Sequence, residues 1–269
     1  MAPYIFASID AGERDRLRLL AQLLDPLHRK ALSTTRIGPG LSSLELGAGT
    51  GTVSAWIAGT AGPTGQVLAT DLNTEFLHQA AHPNVVVEQL DALRDPLPEA
   101  RFDLITARAL LHHLPGWAQV VKKCVAALKP GGSLVLVEPD ATTSVLNTDP
   151  MHHRFWSAWC RWGGTEGVDY RIGHKLTGVM REAGLEVTDT SIDVPFYQGG
   201  SDWATLYAQT VDATMPRAGE RIEPDLVEAF QRATVDPSQW LCSFGWVAVT
   251  GRRATTKREG GSWCPPRPR

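Results

Sequence analysis

Cysteine is scarce: four in 269 residues, and no two of Cys124, Cys160, Cys242 and Cys264 form a C-x-x-C pair. That spacing argues against a zinc site built from cysteine pairs, and more strongly against a disulfide framework. The first three read as small buried hydrophobes. No apolar run approaches the ~18–20 residues that span a bilayer, so no membrane association is expected. The opening MAPYIFASIDAGERDR has only a short apolar stretch and no early basic residue. It does not read as a signal peptide, and the expected location is the cytoplasm. Positive charge is also lacking. The formal net charge is −3, so no bulk field exists to hold a phosphate backbone, and nucleic acid is a poor default partner. What is present is the composition of an ordinary folded domain, 43% apolar and 20% charged, in a chain long enough to bury a sizeable core.

One shift in composition stands out. Residues 252–269, RRATTKREGGSWCPPRPR, hold six basic residues and one acidic one, a net of +5, which leaves −8 for the rest of the chain. Gly, Pro and Thr dominate this stretch and no period is visible, so it reads as a flexible basic tail behind a domain spanning 1–251. No internal repeat is found.

The body alternates. Leu17, Leu20, Leu24 and Leu27 or Leu32 mark a helix over 12–32, which Pro26 is expected to kink or split. Short apolar runs at 41–49, 65–72, 83–92, 101–110 and 133–140 read as strands. Between them, 52–62, 74–81 and 116–132 read as helices, the last stopped by Pro-Gly-Gly. Strands and helices alternating at this spacing mean βαβ units and a mostly parallel sheet covered on both faces. After Asp140 the rhythm breaks. Two helical insertions, about 141–170 and 200–237, flank a helix at 173–184 and a strand at 185–194, and 241–251 reads as a final strand. The insertions stand where a cap over a pocket would be built.

In such sheets ligands bind at the carboxyl ends of the strands. The residues that follow the first strand are Glu45 to Gly51, and the second strand ends in Asp71. Glycines let the backbone turn sharply and let a ligand approach closely. An acid about twenty residues on can accept hydrogen bonds from two ribose hydroxyls, which describes an adenosine-containing cofactor. A nicotinamide dinucleotide needs G-x-G-x-x-G/A, whereas from Gly47 the chain reads G-A-G-T-G-T, with Thr52 at the sixth place. Glu45 beside the loop would repel a pyrophosphate but could accept from an ammonium group. A cofactor with an amino-acid end fits better.

With those residues in view, L-E-L-G-A-G-T-G (44–51) resembles the first motif of the class I S-adenosylmethionine-dependent methyltransferases. Four further segments fall in the family's order: A-T-D-L (69–72), Q-L-D-A-L (89–93), F-D-L-I-T-A-R-A-L-L-H-H-L-P (102–115) and L-K-P-G-G-S-L-V-L-V-E-P-D (128–140). The opening Tyr4 and Glu13-Arg14-x-Arg16-Leu17 are similar to the start of many actinobacterial small-molecule methyltransferases. The resemblance implies a Rossmann-like α/β fold, a mostly parallel seven-stranded sheet of order 3-2-1-4-5-7-6, with the cofactor core at 40–140. It implies that Glu45, Gly47, Ala48 and Gly49 line the methionine part of S-adenosylmethionine, and that Asp71 takes the ribose hydroxyls with Leu72 beside the adenine. Asp91 and Ala92 border the adenine, Arg108 and Ala109 lie under the methionine end, and Tyr4 folds over the cofactor. Asp71 also suits a helix cap, and Asp91 a turn before Pro96.

The rest is read from residue chemistry. His112-His113 and His152-His153 are poor chelating pairs, because neighbours on a helix point about 100° apart, and no metal is expected. His113, with His112 beside it, is the candidate to accept a proton near the transferred methyl, against the alternative of a structural histidine. Phe155, Trp159 and Trp162 recur at helical spacing, as core or as pocket wall. With Tyr197, Trp203 and Tyr207 of the second insertion, Phe155 and Trp159 suggest an apolar, aromatic acceptor pocket. The expected activity is therefore methyl transfer to O, N or C of a small molecule in specialised metabolism. The alternative is a protein of the same fold that binds the cofactor and serves as a cyclase or other non-methylating enzyme. A macromolecular methyltransferase is disfavoured: where DNA amino-methyltransferases carry (N/D)-P-P-(Y/F), this chain reads A-R-A-L. The oligomeric state is open, and a homodimer is compatible with the sequence.

Overall fold

The structure, a computed structural model, describes residues 11–255. Tyr4 and residues 256–269 lie outside the described residues. The chain opens with α1 (Ala11–Leu32), one helix with Pro26 inside it rather than two. Leu24, Leu27, Ala31 and Leu32 turn inward at helical spacing, and that buried stripe holds the helix to the sheet across the proline. Next come β1 (Ser42–Leu46), α2 (Thr52–Ala61), β2 (Gln66–Asp71), a 3-10 segment (Thr74–Ala80) and β3 (Val85–Gln89). β4 (Phe102–Arg108), a 3-10 turn (Leu111–His113), α3 (Trp117–Ala127) and β5 (Leu128–Asp140) complete the alternating half.

The later half holds a 3-10 turn (Ala141–Leu146), α4 (Pro150–Thr165), α5 (Leu176–Glu182) and β6 (Leu185–Asp193). It continues with β7 (Phe196–Gln198), α6 (Asp202–Ala218), α7 (Pro224–Val235), β8 (Trp240–Cys242) and β9 (Gly245–Arg253). The main sheet has the order β3-β2-β1-β4-β5-β9-β6. Strands β1 to β5 pair in parallel, and β9 runs antiparallel between β5 and β6. Counting only strands of this sheet, that is the expected 3-2-1-4-5-7-6. The order reverses between β1 and β4, and that switch point opens a crevice at the strand ends.

The central strands alternate their buried side chains between two covered faces, whereas the edge strand β3 is left largely exposed, with Val86 and Val87 open to solvent. Leu134 and Leu136 pack toward α3 and α5, while Val135 and Val137 pack toward α1 and α2. Each of these fully buried aliphatics contributes roughly 1.5–3 kcal/mol. Three details differ from the sequence reading. The expected final strand is split into β8, which pairs with β7 in a separate two-stranded ribbon, and β9. Lys129-Pro130-Gly131-Gly132 does not belong to the preceding helix. It loops out of β5, so that Leu128 pairs with Phe102 but Ser133 with Leu104. A Cβ at Gly132 would lie 3.1 Å from the carbonyl oxygens of Asp103 and Phe102, so the loop closes over β4 only with glycine there. Finally, Arg252 and Arg253 are sheet residues, not tail. Arg253 donates to the carbonyls of Val125, Ala126 and Leu128, capping the end of α3, and Arg252 to that of Gly131.

Helices α4, α6 and α7 form the cap. Its interior is aromatic: Phe155 stacks on Phe230 with ring centroids 4.2 Å apart, and Trp156 packs against Phe244 at 4.6 Å.

Candidate active site

A cavity of about 420 Å³ lies over the carboxyl ends of β1, β2 and β4, roofed by α1 and α6. Its first end is built from the turns after the strands. After β1, Gly47, Gly49 and Gly51 have φ of 65°, 56° and 84°. Gly51 is further constrained, since a Cβ there would come within 2.6 Å of the Ala80 nitrogen. The second turn starts at Asp71. Its Oδ2 accepts from the Gly49 N–H (2.9 Å) and its Oδ1 from the Asn73 N–H (3.1 Å), so it ties the two turns together. Burial raises the Asp71 carboxyl above its usual range, and the Gly49 and Asn73 N–H bonds oppose that rise. Asp91 holds the third turn: its Oδ1 accepts from the N–H groups of Leu93 (2.9 Å) and Arg94 (3.2 Å). It is thus a turn residue and a wall residue at once.

Gly47, Ala48, Gly49, Asp71 and Leu72 all line this end, together with Asp91, Ala92 and Arg108. Glu45 does not. It is 3% exposed, and its Oε2 accepts from the Ser54 hydroxyl of α2 at 2.5 Å. It stands behind the glycine turn, where burial pushes its carboxyl up to about 7 while the Ser54 bond and the Arg108 guanidinium moderate the rise. Arg108 is committed to α1: its Nη1 donates to Asp25 Oδ1 at 2.6 Å. Asp25 also accepts from Arg29 (3.0 Å) and Thr52 (3.2 Å), so one carboxylate joins α1, α2 and β4.

The second end is mainly apolar. Leu17 and Leu20 of α1 face Leu206 and Tyr207 of α6, and Tyr170, Phe244 and Trp246 close the rest. Its polar groups are few. Glu13 and Arg16 form a bidentate pair at 2.7 Å on the α1 side. Glu166 is held by Arg217 (2.9 Å) and Arg221 (2.8 Å) on the cap side. His112 and His113 sit on the floor. Ala109, just before them, has φ 51°, a left-handed conformation that few non-glycine residues adopt. Beyond it, the N–H groups of Leu110 (3.0 Å), Leu111 (2.8 Å) and His112 (3.3 Å) all donate to the fully buried Glu138 carboxylate of β5. The same carboxylate meets His112 Nδ1 at 2.8 Å. Burial, then the neighbouring His112 and Arg16, hold His113 well below the ordinary histidine range.

Of the aromatic candidates for the acceptor wall, Tyr207 is on it and the other four are not. Phe155 and Trp159 are 0% exposed and Tyr197 3%, all within the cap core, and Trp203 packs against that core. The reason is the helical stripe itself. A helical stripe faces whatever packs on it, and here Phe155 meets Phe230 of α7 while Trp159 packs on Trp162 and on the back of Tyr170 rather than entering the cavity. Of the wall aromatics, Tyr207 comes from α6, whereas Tyr170, Phe244 and Trp246 come from irregular segments and from the start of β9, where no periodicity flags them. Glu138 also escaped a functional reading. An acid at the end of a strand opposite a Leu-His-His turn is the signal that could have found it.

Among the described residues, no group of three or more His, Cys, Asp and Glu side chains could hold a metal ion, and no helix is long and apolar enough to cross a membrane. As for known proteins, residues 13–190 match the family described as a methyltransferase domain. A ubiquinone/menaquinone biosynthesis C-methyltransferase of Ectopseudomonas mendocina is 29% identical over 118 residues, 41% of this chain and 46% of that protein. The chain spans less than half the length of the first curated relatives it matches. Among solved structures, the [4+2]-cyclase SpnF aligns with a TM-score of 0.58 at 19% identity, over 87% of this chain and 83% of that one. An S-adenosylmethionine-dependent methyltransferase of Mesorhizobium loti aligns with a TM-score of 0.52 at 18% identity, over 84% and 96%. These structural likenesses are of fold.

Proposed function

The chain belongs to the class I S-adenosylmethionine-dependent methyltransferases, and from that premise we propose that it moves the methyl group of S-adenosylmethionine to a small, largely apolar acceptor held under the helical cap. The observation that carries the reading is the two-ended cavity. One end offers glycine turns and two carboxylates, Asp71 and Asp91. The other offers aliphatic and aromatic walls with two histidines. The donor set of the first end suits this cofactor better than a dinucleotide. Asp71 presents a carboxylate to a diol, and the arginine at the glycine turn is neutralised by Asp25 rather than aimed at a phosphate.

The cofactor supplies an electrophilic methyl on a sulfonium. The chain's contribution is position and exclusion of water. The glycine turn and Asp71 fix one reactant, the Leu17–Leu20 and Leu206–Tyr207 walls confine the other, and such alignment lowers a barrier by up to ~7–11 kcal/mol in favourable cases. The positive charge on sulfur disappears in the transfer, and an apolar cavity favours that loss.

Calorimetric titration with S-adenosylmethionine and S-adenosylhomocysteine, with NAD as control, tests the cofactor half. Micromolar binding of the sulfur compounds alone is expected, and binding of NAD alone would overturn the reading. A second reading, a cofactor-binding cyclase, is supported by the likeness in fold to SpnF. Formation of S-adenosylhomocysteine with an acceptor separates the two. A cytoplasmic location and a place in specialised metabolism belong to the same proposal.

A further inference from the structure

The two histidines on the cavity floor differ in what surrounds them. We infer that Glu138 is a positioning residue that holds His112 as the proton acceptor for a hydroxyl-bearing acceptor, an assignment that rests on the methyl-transfer reading above. Both Glu138 oxygens already accept backbone N–H bonds: Oε1 from Leu110 and Leu111, Oε2 from His112. An acceptor facing Nδ1 at 2.8 Å fixes the ring proton on Nδ1. Nε2 is then the lone-pair nitrogen of a ring that lines the cavity. That is the arrangement of a base oriented by a carboxylate.

The turn beneath it is built for the purpose. Ala109 takes a strained left-handed conformation, and the three N–H groups that follow converge on one carboxylate. Capping the turn would need those backbone bonds alone. The bond to Nδ1 adds nothing to the turn and everything to the orientation of the ring. Burial beside His112 and Arg16 leaves the ring of His113, the other candidate, a poor proton acceptor.

An oriented base decides the acceptor class. A neutral amine attacks through its own lone pair before any proton leaves. A hydroxyl is a weak nucleophile until its proton is being removed. In the step, the acceptor oxygen forms the C–O bond, the C–S electron pair returns to sulfur and neutralises the sulfonium, and the O–H proton passes to His112 Nε2 and on to solvent. The apolar walls favour a hydroxyl on an aromatic or alicyclic frame over a sugar or an amino acid.

The test uses the full chain saturated with S-adenosylhomocysteine, whose calorimetric binding checks the cofactor reading separately. Side-chain 15N NMR then reads His112. The wild type is expected to carry its proton on Nδ1. Glu138→Gln, and Glu138→Asp if the first fails to fold, are expected to lose that preference while binding S-adenosylhomocysteine within about twofold. The rate probes are 2-naphthol and a nitronaphthol already ionised at the assay pH, with methylation read at oxygen. General bases contribute ~10²–10⁴-fold, so Glu138→Gln should lose at least ~10-fold on 2-naphthol and little on the ionised acceptor. His112→Gln should show the same split, which a purely structural role would not produce. A wild-type ring protonated at Nε2, or equal losses on both acceptors, overturns the positioning role. Methylation of these probes at carbon alone, or of neither, overturns the hydroxyl assignment. Failure to bind S-adenosylhomocysteine overturns the methyl-transfer reading itself.

Discussion

Glu45 makes the stability of the empty protein depend on pH, in a direction opposite to that of most carboxylates. Its side chain is 3% exposed, and burial moves its carboxyl from the usual 4.5 to about 7. The folded state therefore holds a proton that the unfolded chain gives up. Stability from this group is fully present below pH 4.5 and is lost as pH rises through 7. A displacement of that size corresponds to about 3 kcal/mol between pH 4.5 and 8. Glu45→Gln keeps the shape and the Ser54 contact but has no proton to lose. Urea unfolding of the cofactor-free protein between pH 4.5 and 8 should show the variant gaining on the wild type, by about 3 kcal/mol at the upper end. A cofactor ammonium at the glycine turn should favour the charged carboxylate. Binding of S-adenosylmethionine near pH 6.5 should thus release a proton, read as a buffer-dependent heat, and Glu45→Gln should abolish that dependence. Parallel stability curves for wild type and variant would refute the burial argument, because no other change separates the two proteins.

The remaining predictions concern the wall, the cap and the Asp25–Arg108 pair. Asp71→Ala should weaken S-adenosylmethionine binding by about 1.5–3 kcal/mol in a calorimetric titration, the value of charge-assisted hydrogen bonds to the ribose. Unchanged affinity would remove Asp71 from the ribose role and leave it as the tie between Gly49 and Asn73. Trp159→Ala should cost about 3–5 kcal/mol by opening the cap core, seen as a fall in Tm of roughly 6–20 °C, with the KM for the cofactor little changed. Loss of turnover at unchanged Tm would instead put Trp159 on the acceptor wall. Asp25→Asn should destabilise by about 3–5 kcal/mol in urea titrations, because it strips the paired carboxylate from Arg108, which is only 11% exposed. A loss below 1 kcal/mol would show that Arg108 finds solvent without it.

What could be read from the sequence follows the repetition in the chemistry. The parallel sheet announces itself because every strand is a short apolar run, and the cofactor end because strand-end turns demand glycine and acid at set places. Gly47, Gly49, Asp71 and Asp91 meet on one wall because three separate strand ends, those of β1, β2 and β3, converge beside the switch point. Pro26 misled because a local backbone preference is weaker than a buried leucine stripe running past it. The Pro-Gly-Gly stop misled in its extent: α3 ends at Ala127, and the four residues from Lys129 serve instead as a bulge against β4. Phe155 and Trp159 misled for a different reason, since helical periodicity reports that a face is buried and not against what.

The acceptor end escapes sequence reasoning because no single element makes it. Leu17 and Leu20 come from α1, Leu206 and Tyr207 from α6, Tyr170 from the segment after α4, and Phe244 and Trp246 from the approach to β9. These pieces lie up to about two hundred residues apart and are brought together by packing contacts such as Gln22 to Asp202 (3.0 Å) between α1 and α6. A residue can be assigned to this wall only once the fold is known, whereas Asp71 can be assigned from a motif. Substitutions that change which acceptor is used should therefore map to Tyr170, Leu206 and Phe244. Substitutions in the larger and more conspicuous aromatic stripe of α4 should change stability first, because its rings are buried in the cap core and do not line the cavity.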